Sequence, residues 1–362
     1  MLLLNNDDVA GLLTLNDCIE AIEEAYREWG LGRAAQFPPE GRMDLSAPSP
    51  GAEKGRRFTW GAMAGVVSKY EMFALRQKLD IHYRLDHAGG HETTEKFCIQ
   101  PGTYCGFIML VSTRNAEPLA IVNDGVLQHH RVAATAAVAT KYMARSGSRV
   151  LGMIGSGGMA HSHLKAVATV QPIDTVRVYS MTPAHRERFA DEMAEELGLQ
   201  VKAVSTPEEA VAGADIVTLC TDSVTPIFPD LGWIEPGMHI TAVLPGEFGN
   251  GYERADVVIL HERGGEVGQA ASSEEITMSA DVATRMPNAH LLQHRAGLPT
   301  LAELLAGQTA GRTNPEQVTY YHNIPGSGIQ FAAVGARLYQ LAKEQGVGQE
   351  IPTGWFLQDI RD

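Results

Sequence analysis

Short apolar runs alternate with amphipathic segments through the second half of the chain. Runs rich in β-branched and other apolar residues occupy positions 150–154, 175–180, 214–221, 239–243 and 257–260. The segment 184–197, between two of these runs, has apolar residues at helical spacing. Strands that alternate with helices at this rhythm are typical of parallel sheets, because parallel strands need a crossover connection. The pattern therefore predicts an α/β fold with a doubly wound parallel sheet.

The first half of the chain has a different pattern. Apolar residues recur at helical spacing in segment 15–29 and predict an amphipathic helix. The proline- and glycine-rich segment 32–55 predicts an irregular loop. Strand-like runs follow at 73–83, 96–103, 105–113 and 119–123, with a hairpin turn at 114–118. Consecutive strands without helices between them predict a separate, largely antiparallel domain.

Further helices are predicted on either side of the parallel sheet. The alanine-rich segment 125–144 predicts a helix that packs closely against its neighbours and links the two domains. After the sheet, a glycine-rich loop at 325–330 leads into an apolar helix at 331–344. Ser327 in this loop is a candidate cofactor contact, because glycines let a backbone approach a ligand. A plain turn before a helix is the alternative.

The apolar run that begins at Val150 leads directly into closely spaced glycines. Gly155 can adopt a turn conformation that a Cβ forbids, and Gly157 lets the backbone approach a pyrophosphate. Ala160 is small enough for the following helix to pack on the strand. The unpaired amides of that helix would then face the phosphates. We therefore predict a dinucleotide-binding turn, with a purely structural glycine turn as the alternative.

The residues after the second strand of this unit bear on the choice of cofactor. An acidic residue there would bind the ribose hydroxyls of NAD and repel the extra phosphate of NADP. The chain instead has Ser180, Met181 and Thr182, followed by Arg186, and these groups could hold a phosphate. The sequence therefore favours NADP over NAD. The alternative is that Ser180 and Thr182 only cap the next helix.

Composition limits the classes of partner. The 362 residues, 44% hydrophobic and 20% charged, suffice for two domains. A formal net charge of −14 argues against nucleic acid or an anionic membrane as partner, since both bind clustered cationic surface. We expect no membrane span and no signal peptide. Cys18, Cys98, Cys105 and Cys220 show neither metal-binding nor paired spacing, so we expect reduced thiols in a cytoplasmic protein.

Three motifs in the same order carry a family resemblance. Residues 117–135 read as a strand, a turn and a helix that contains Arg131. The glycine turn follows, and residues 214–217 with Thr221 occupy the place of the fourth strand. Together, these motifs resemble the ornithine cyclodeaminase and mu-crystallin family over nearly the whole chain.

The resemblance implies a two-domain homodimer. Residues 1–124 plus 320–362 would form a smaller α+β substrate-binding and dimerisation domain, and residues 125–319 an inserted Rossmann NAD(P)-binding domain. The family includes ornithine cyclodeaminase, which converts ornithine to proline and ammonia with catalytic NAD, as well as imine reductases and amino-acid dehydrogenases. Membership therefore implies a nicotinamide cofactor and a small amino- or imino-acid substrate without fixing the reaction.

The resemblance also assigns basic residues to the substrate. Arg42 resembles the arginine that grips the substrate carboxylate, and a guanidinium supplies the paired hydrogen bonds that a carboxylate needs. Arg76 and Lys78 lie where the family has one lysine beside the carboxylate and the reacting carbon. Two residues apart on a strand, they share a face, so both could point into the pocket. Sequence position favours Arg76 as the counterpart, and residue type favours Lys78.

Other positions match the cofactor contacts of the family. Thr103 and Arg131 match two of them, and Arg131 is expected at a phosphate. The resemblance places Ser156, Gly158 and Met159 in the amide cradle around Gly155 and Gly157. It places Thr221 near the nicotinamide ribose.

The chain departs from the cyclodeaminase pattern after the fifth strand. Glu247 occupies the place of a catalytic aspartate after a one-residue insertion, and Gly251 occupies the place of a lysine. The extra methylene displaces the carboxylate by more than about 1 Å, which is costly for catalysis. We therefore expect hydride transfer at the α-carbon by an imine reductase or amino-acid dehydrogenase, with Lys78 or Glu247 handling the proton. The alternatives are an ornithine cyclodeaminase-type ammonia-lyase and a nucleotide-dependent binding protein with little turnover.

Overall fold

The computed structural model describes residues 1–37, 43–86, 92–221, 223, 226–228, 230–263, 277–279, 297–323 and 326–360. The elements of the N-terminal part are β1 (Leu2–Leu4), α1 (Asn6–Leu12), α2 (Leu15–Gly30), β2 (Ala34–Phe37), β3 (Met43–Pro48), β4 (Lys54–Val67), β5 (Met72–Asp86), β6 (Glu92–Cys98), β7 (Gln100–Pro101), β8 (Cys105–Ser112), β9 (Pro118–Asn123) and α3 (Gly125–Met143).

Helix α2 follows the predicted amphipathic pattern closely. Thr14 and Asp17 form a capping box at its start, so the backbone amides of its first turn have side-chain acceptors. Ile19, Ile22 and Tyr26 lie on one face and are almost fully buried. Burial of this apolar face fixes the helix against α3 and the later helix of the chain.

The N-terminal strands form one mixed sheet in the order β3–β4–β5–β8–β9–β1. All its pairs in this part are antiparallel except β1 with β9, as predicted for this domain. The prediction of an irregular loop over 32–55 was wrong, because β2, β3 and the start of β4 lie in that range. β2 and β3 are held by ladder hydrogen bonds to β4, a long-range pairing that local composition does not reveal.

The second part of the chain forms the parallel sheet. Its elements are β10 (Val150–Ile154), α4 (Gly158–Val170), β11 (Thr175–Tyr179), α5 (Pro183–Leu197), β12 (Gln200–Ala203), α6 (Pro207–Val211), β13 (Ile216–Leu219), β14 (His239–Ala242), α7 (Pro245–Phe248), β15 (Val257–Leu260), β16 (Thr277–Ser279), α8 (Leu301–Leu305), β17 (Thr319–His322), α9 (Gly328–Gln345) and β18 (Gln349–Glu350).

The strand order of this sheet is β12–β11–β10–β13–β14–β17–β15, and every pair in it is parallel. The predicted doubly wound sheet is therefore confirmed. Its topological switch point lies between β10 and β13, where such sheets bind their ligands. β17 crosses the predicted domain boundary at 319/320, and β16 adds a strand to the mixed sheet beside β3.

Helix α3 connects the two sheets. Ala133, Ala134 and Ala137 are fully buried, and their small side chains let α2 and α4 approach the helix closely. Helix α9 returns to the mixed sheet and packs on β4 and β5. Among the described helices, none is long and apolar enough to cross a lipid bilayer.

Candidate functional site

The glycine turn between β10 and α4 has the geometry that the sequence predicts. Gly155 has a φ of +109°, and a Cβ there would collide with the carbonyl oxygen of Cys220. A Cβ at Gly157 would have no heavy atom within 4 Å, so the space in front of this residue is open. Gly157 begins α4 without a side-chain cap, which leaves the amides of the first turn directed toward that space. The turn therefore forms a cradle made of backbone.

A cavity of about 770 Å³ lies in front of this turn, and we call it the glycine-turn cavity. Its described lining comes from the carboxyl ends of β10, β11, β13 and β14, which is the switch point of the sheet. The described lining residues are His129, Ile154, Gly155, Ser156, Gly157, Gly158, Met159, Tyr179, Ser180, Met181, Thr182, His185, Cys220, Thr221, Ser223, Ile227 and Val243. The structure thus brings together most of the predicted cofactor residues in one cavity.

His129 is a lining residue that sequence reasoning missed. Its Cε1 lies 3.3 Å from where a Cβ of Gly158 would be, so the ring covers the start of α4. Burial lowers the pKa of His129, although the Asp124 carboxylate acts in the opposite direction. The ring is therefore neutral near pH 7 and has one N–H to donate. Its position depends on α3 crossing α4, a contact that no local motif encodes.

The Ser180 end of the cavity differs in detail from the prediction. Ser156 Oγ donates to Ser180 Oγ over 2.9 Å, which joins the turns after β10 and β11. Arg186 lies outside the described lining, because its guanidinium donates to the Ser180 carbonyl over 2.8 Å and stacks on Tyr179. Thr182 begins α5 without a capping bond from its hydroxyl. The capping alternative is therefore not observed for Thr182.

Glu247 lies at the other end of the cavity, beneath its wall. The carboxylate accepts hydrogen bonds from Thr221 Oγ1 at 2.8 Å, from the amides of Val243 at 3.0 Å and Leu244 at 2.7 Å, and from the Thr221 amide. The residue is fully buried and does not line the cavity. Burial raises its pKa to about 7, although these donors act in the opposite direction.

The hydrogen bonds of Glu247 bear on its predicted role in proton transfer. The two oxygens already accept from four donors, so the carboxylate ties the loop after β13 to the loop after β14. Proton transfer to a substrate would require the loss of some of these bonds. Glu247 therefore holds Thr221 and Val243, which do line the cavity, and its catalytic role stays a prediction.

Basic side chains gather on the mixed-sheet side of α3, and we call Arg76, Lys78 and Arg131 the cationic cluster. Arg76 is 3% exposed, and its Nε donates to Asp124 over 2.9 Å. Lys78 lies two residues later on the same face of β5, forms an ion pair with Asp80, and has its Nζ 5.8 Å from the centre of the Tyr104 ring. Arg76 and Lys78 therefore share a face, as the strand period predicts, but have different carboxylate partners.

Arg131 does not line the glycine-turn cavity. Its guanidinium donates to the side chain of Gln128 and, over 2.6 Å, to that of Gln330, and it lies 4.9 Å from the centre of the Phe331 ring. Arg76 lies over the same ring at 5.7 Å. The two guanidinium groups thus share the Phe331 ring, and the contact of Arg131 with a cofactor phosphate stays a prediction.

Two further predicted cofactor residues, Thr103 and Ser327, do not line the cavity. The Thr103 hydroxyl donates to the Cys98 and Gln100 carbonyls in an exposed turn. Ser327 is fully buried and donates to the Gln36 side chain. Its neighbour Gly328 packs so tightly on the Ala64 carbonyl that no Cβ would fit. Arg42 lies outside the described residues.

The chain is similar to known proteins over most of its length. The model of the ornithine cyclodeaminase/mu-crystallin family matches residues 71–345. The alanine dehydrogenase of Archaeoglobus fulgidus is 26% identical over 369 residues, which cover 97% of this chain and 98% of that protein.

Solved structures agree over nearly the full length. The Δ1-pyrroline-2-carboxylate reductase of Thermococcus litoralis, in complex with NADH and L-proline, is 25% identical with a TM-score of 0.75, over 97% of this chain and 100% of that chain. The iminosuccinate reductase of Paracoccus denitrificans, in complex with NAD+, is 26% identical with a TM-score of 0.73, over 97% and 99% of the two chains.

Proposed function

This chain belongs to the ornithine cyclodeaminase/mu-crystallin family, and we propose that it is an NAD(P)-dependent oxidoreductase acting at the α-carbon of a small amino or imino acid. The observation that carries the proposal is the glycine-turn cavity at the switch point of the parallel sheet. The relatives named above support it, since the solved reductases hold nicotinamide cofactors. Their amino- or imino-acid chemistry supports the substrate class.

The residues of the cavity fit a dinucleotide. The open space before Gly157 is the room that a pyrophosphate needs beside the amides of α4, and a Cβ would fill it. His129 is placed to donate to the same phosphates. When bound, the nicotinamide would supply the hydride chemistry, and Thr221 would lie on its ribose side. The chain contributes the orientation of that ring.

NADP is our preferred cofactor, as the sequence indicates. Ser180, Thr182 and His185 line the end of the cavity where the ribose phosphate of NADP would lie, and no acidic side chain follows β11. Arg186 is held by the Ser180 carbonyl and would have to swing toward the cavity to help. Calorimetric titration with NADPH and NADH tests the preference. At least tenfold tighter binding of NADPH is expected, and the reverse order would contradict it.

We assign the substrate carboxylate to Arg131, Lys78 and Arg42. Asp124, which pairs with Arg76, and Arg131 are separated by about two turns of α3, and His129 of the cavity lies between them. The cationic cluster and the cavity therefore both adjoin α3, with Arg131 and His129 on different sides of the helix. Arg76 is less suited as a ligand than Lys78, because Arg76 is 3% exposed and pairs with the fully buried Asp124, whereas Lys78 is partly exposed.

Lys78 is our candidate for proton transfer at the substrate nitrogen. Asp80 holds its ammonium in place, and this carboxylate stays ionised. Burial would raise the pKa of Asp80, but hydrogen bonds from His82 and Lys78 lower it to about 2. Lys78 is partly exposed, whereas Glu247 is enclosed by protein donors, so Lys78 is the better placed of the two candidates.

Activity assays test the proposal directly. Purified protein is incubated with amino acids plus oxidised cofactor, or with cyclic imino acids plus reduced cofactor, while absorbance of the reduced nicotinamide is followed. A net absorbance change with at least one substrate is expected. Ammonia and proline formed from ornithine without net absorbance change would instead identify a cyclodeaminase. Tight cofactor binding without any product would identify a binding protein.

A pair of lysine variants tests the role of Lys78. Lys78→Met should lower kcat/KM by about 100-fold or more, the usual contribution of a general acid. Lys96→Met is the matched control, because Lys96 lies on the same Tyr104 ring but is exposed. Equal activities of the two variants would contradict the assignment.

A conservative change separates the two readings of Arg131. Arg131→Lys keeps the charge but loses the paired hydrogen bonds of the guanidinium. We expect a raised KM for the amino or imino acid and an unchanged dissociation constant for the dinucleotide. Weaker dinucleotide binding with an unchanged KM would support the phosphate contact that the sequence predicted.

We also propose a homodimer, as the family resemblance implies. Light scattering on the purified protein should give twice the chain mass of 39.1 kDa. The mass of a single chain would contradict the proposal.

A further inference from the structure

The strand register brings two cysteines together beside β5. β6 and β8 both pair with the same edge of β5, one after the other. Phe97 of β6 lies opposite Ile81, and Cys105 of β8 lies opposite Leu79, so Asp80 alone separates the two paired regions. Between them, residues 99–104 form a turn that includes the short strand β7, which pairs back on β6. We call this segment the 99–104 loop, and Cys98 and Cys105 form its neck.

The neck is closed by short hydrogen bonds. The Cys98 amide donates to the Thr103 carbonyl over 2.7 Å, and the Thr103 hydroxyl donates to the Gln100 carbonyl over 2.8 Å. Ile99 has a φ of +64°, an unusual conformation for a β-branched residue, and its side chain is 96% exposed. The loop therefore folds back sharply and returns to the sheet near its starting point.

The distance across the neck suits a disulfide. Residues two apart on a strand are separated by about 6.6 Å, and this is the separation of the residues that face Leu79 and Ile81. Cys98 lies one residue further into that gap than Phe97. Disulfides span Cα separations of about 4.4–6.8 Å. The Cα atoms of the two cysteines are therefore within the range that a disulfide spans.

The side chains confirm this proximity. Both cysteines are half-buried free thiols, and the Cys98 thiol lies near enough to Cys105 to affect its ionisation. Burial raises the pKa of Cys105, and the Cys98 thiol adds to the rise. Cys18 and Cys220 are buried in the core instead. The spacing of the four cysteines along the chain does not indicate a pair, because their proximity depends on the register along β5.

We propose that Cys98 and Cys105 form a reversible disulfide, which makes the neck of the 99–104 loop a redox modification site. With a peroxide as the oxidant, one thiolate attacks a peroxide oxygen and becomes a sulfenic acid, with release of water. The second thiol attacks the sulfenic sulfur, the S–S bond forms, and a second water leaves. Each cysteine loses one proton and one electron, and the peroxide is reduced to two waters. A dithiol reverses the step.

The modification would reach the candidate substrate site through Tyr104. The Tyr104 ring lies 5.8 Å from the Lys78 ammonium and 5.9 Å from that of Lys96, and Tyr104 directly precedes Cys105. A bond across the neck restrains the loop and therefore the ring against Lys78. This consequence rests on the proposed function, whereas formation of the disulfide does not.

Mass spectrometry of the intact, purified protein tests the modification. After treatment with hydrogen peroxide, we expect a loss of about 2 Da, two fewer titratable thiols, and recovery of both values with a dithiol reductant. Peptide mapping should join Cys98 to Cys105. Gains of oxygen on single cysteines without a mass loss, or a bridge that involves Cys18 or Cys220, would overturn the proposal.

Two variants control for the site. Cys98→Ser should prevent the mass loss, whereas Cys18→Ala, in the core, should leave it unchanged. Circular dichroism verifies that each variant is folded, and the wild-type mass result stands without them. In the functional measurement, the oxidised protein should show a several-fold change in KM for the amino or imino acid and an unchanged dissociation constant for the dinucleotide. A disulfide that leaves KM unchanged would remove the coupling to Lys78, but not the modification site.

Discussion

The glycine-turn cavity and the cationic cluster are built from different kinds of chemical group. The cavity is lined by backbone amides and small polar side chains, and the space before Gly157 is open. The cationic cluster is built from long side chains, and two of them already hold Asp124 and Asp80. A cofactor therefore meets a preformed cradle, whereas a substrate carboxylate has to compete with acceptors supplied by the protein.

This difference separates what each region contributes to stability from what it contributes to binding. Removing the side chain of Arg76 or Lys78 leaves a buried carboxylate, Asp124 or Asp80, without that counter-charge. Adding a side chain at Gly157 disturbs no protein neighbour, because no heavy atom lies within 4 Å of the new Cβ. Substitutions of paired residues in the cationic cluster should therefore reduce folding stability, and substitutions at Gly157 should reduce the affinity for the cofactor.

The largest effect is expected at Arg76. Arg76→Met leaves the fully buried Asp124 carboxylate unpaired and should lower the free energy of unfolding by about 3–5 kcal/mol in urea titrations. Arg114→Met is the matched control, because its ion pair with Glu71 is largely exposed; we expect less than about 1 kcal/mol. Equal losses in the two variants would show that burial of the Arg76 pair has no special weight.

The next largest effect is expected on the affinity for the cofactor. Gly157→Asp places a carboxylate where we expect the phosphates, and repulsion of like charges should weaken dinucleotide binding by about 100-fold, or about 3 kcal/mol. The fold should be unchanged, because no atom lies within 4 Å of the new Cβ. Gly354→Asp, at another open glycine outside the cavity, should bind normally. Calorimetry and thermal unfolding measure the two quantities, and normal binding by Gly157→Asp would contradict the cradle.

A smaller effect is expected at Glu247, which connects the loop after β13 to the loop after β14 beneath the cavity. Glu247→Gln directs an amide N–H toward backbone donors in either orientation, and we expect a loss of about 1–3 kcal/mol in unfolding free energy. Glu253→Gln, at an exposed position, should have almost none. Unchanged stability of Glu247→Gln would contradict the positioning role.

The stability of the wild-type protein should also depend on pH through this residue. The pKa of Glu247 is about 7 in the folded protein and near 4.5 when it is unfolded. Between these two pH values, folding takes up a proton. The contribution of Glu247 to the free energy of unfolding therefore falls as pH rises from about 4.5 to about 7. Urea titrations across this range should show the wild type losing stability relative to Glu247→Gln, and a constant difference would contradict the raised pKa.

The same contrast explains what the sequence could predict. The parallel sheet, α2 and the glycine turn follow from local periodicity and from the conformational needs of Gly155. Backbone-built sites leave such a local signature, because the required glycines are adjacent in the chain. Most of the lining of the glycine-turn cavity was therefore predictable.

The missed features all depend on contacts between distant segments. His129 reaches Gly158 only because α3 crosses α4, and Cys98 meets Cys105 through their common partner β5. Glu247 matched a catalytic position in the alignment of motifs, yet its oxygens are used by the loops after β13 and β14. Residue identity alone does not tell which donors will surround a side chain in the fold.

The most direct test is a crystal structure of the protein grown with NADPH and an amino acid that it converts. We expect the pyrophosphate on the amides of residues 156–159 and the carboxylate of the amino acid on Arg131 and Lys78, with its α-carbon facing the nicotinamide. Pyrophosphate density elsewhere, or a glycine-turn cavity that stays empty at saturating NADPH, would contradict the proposed site.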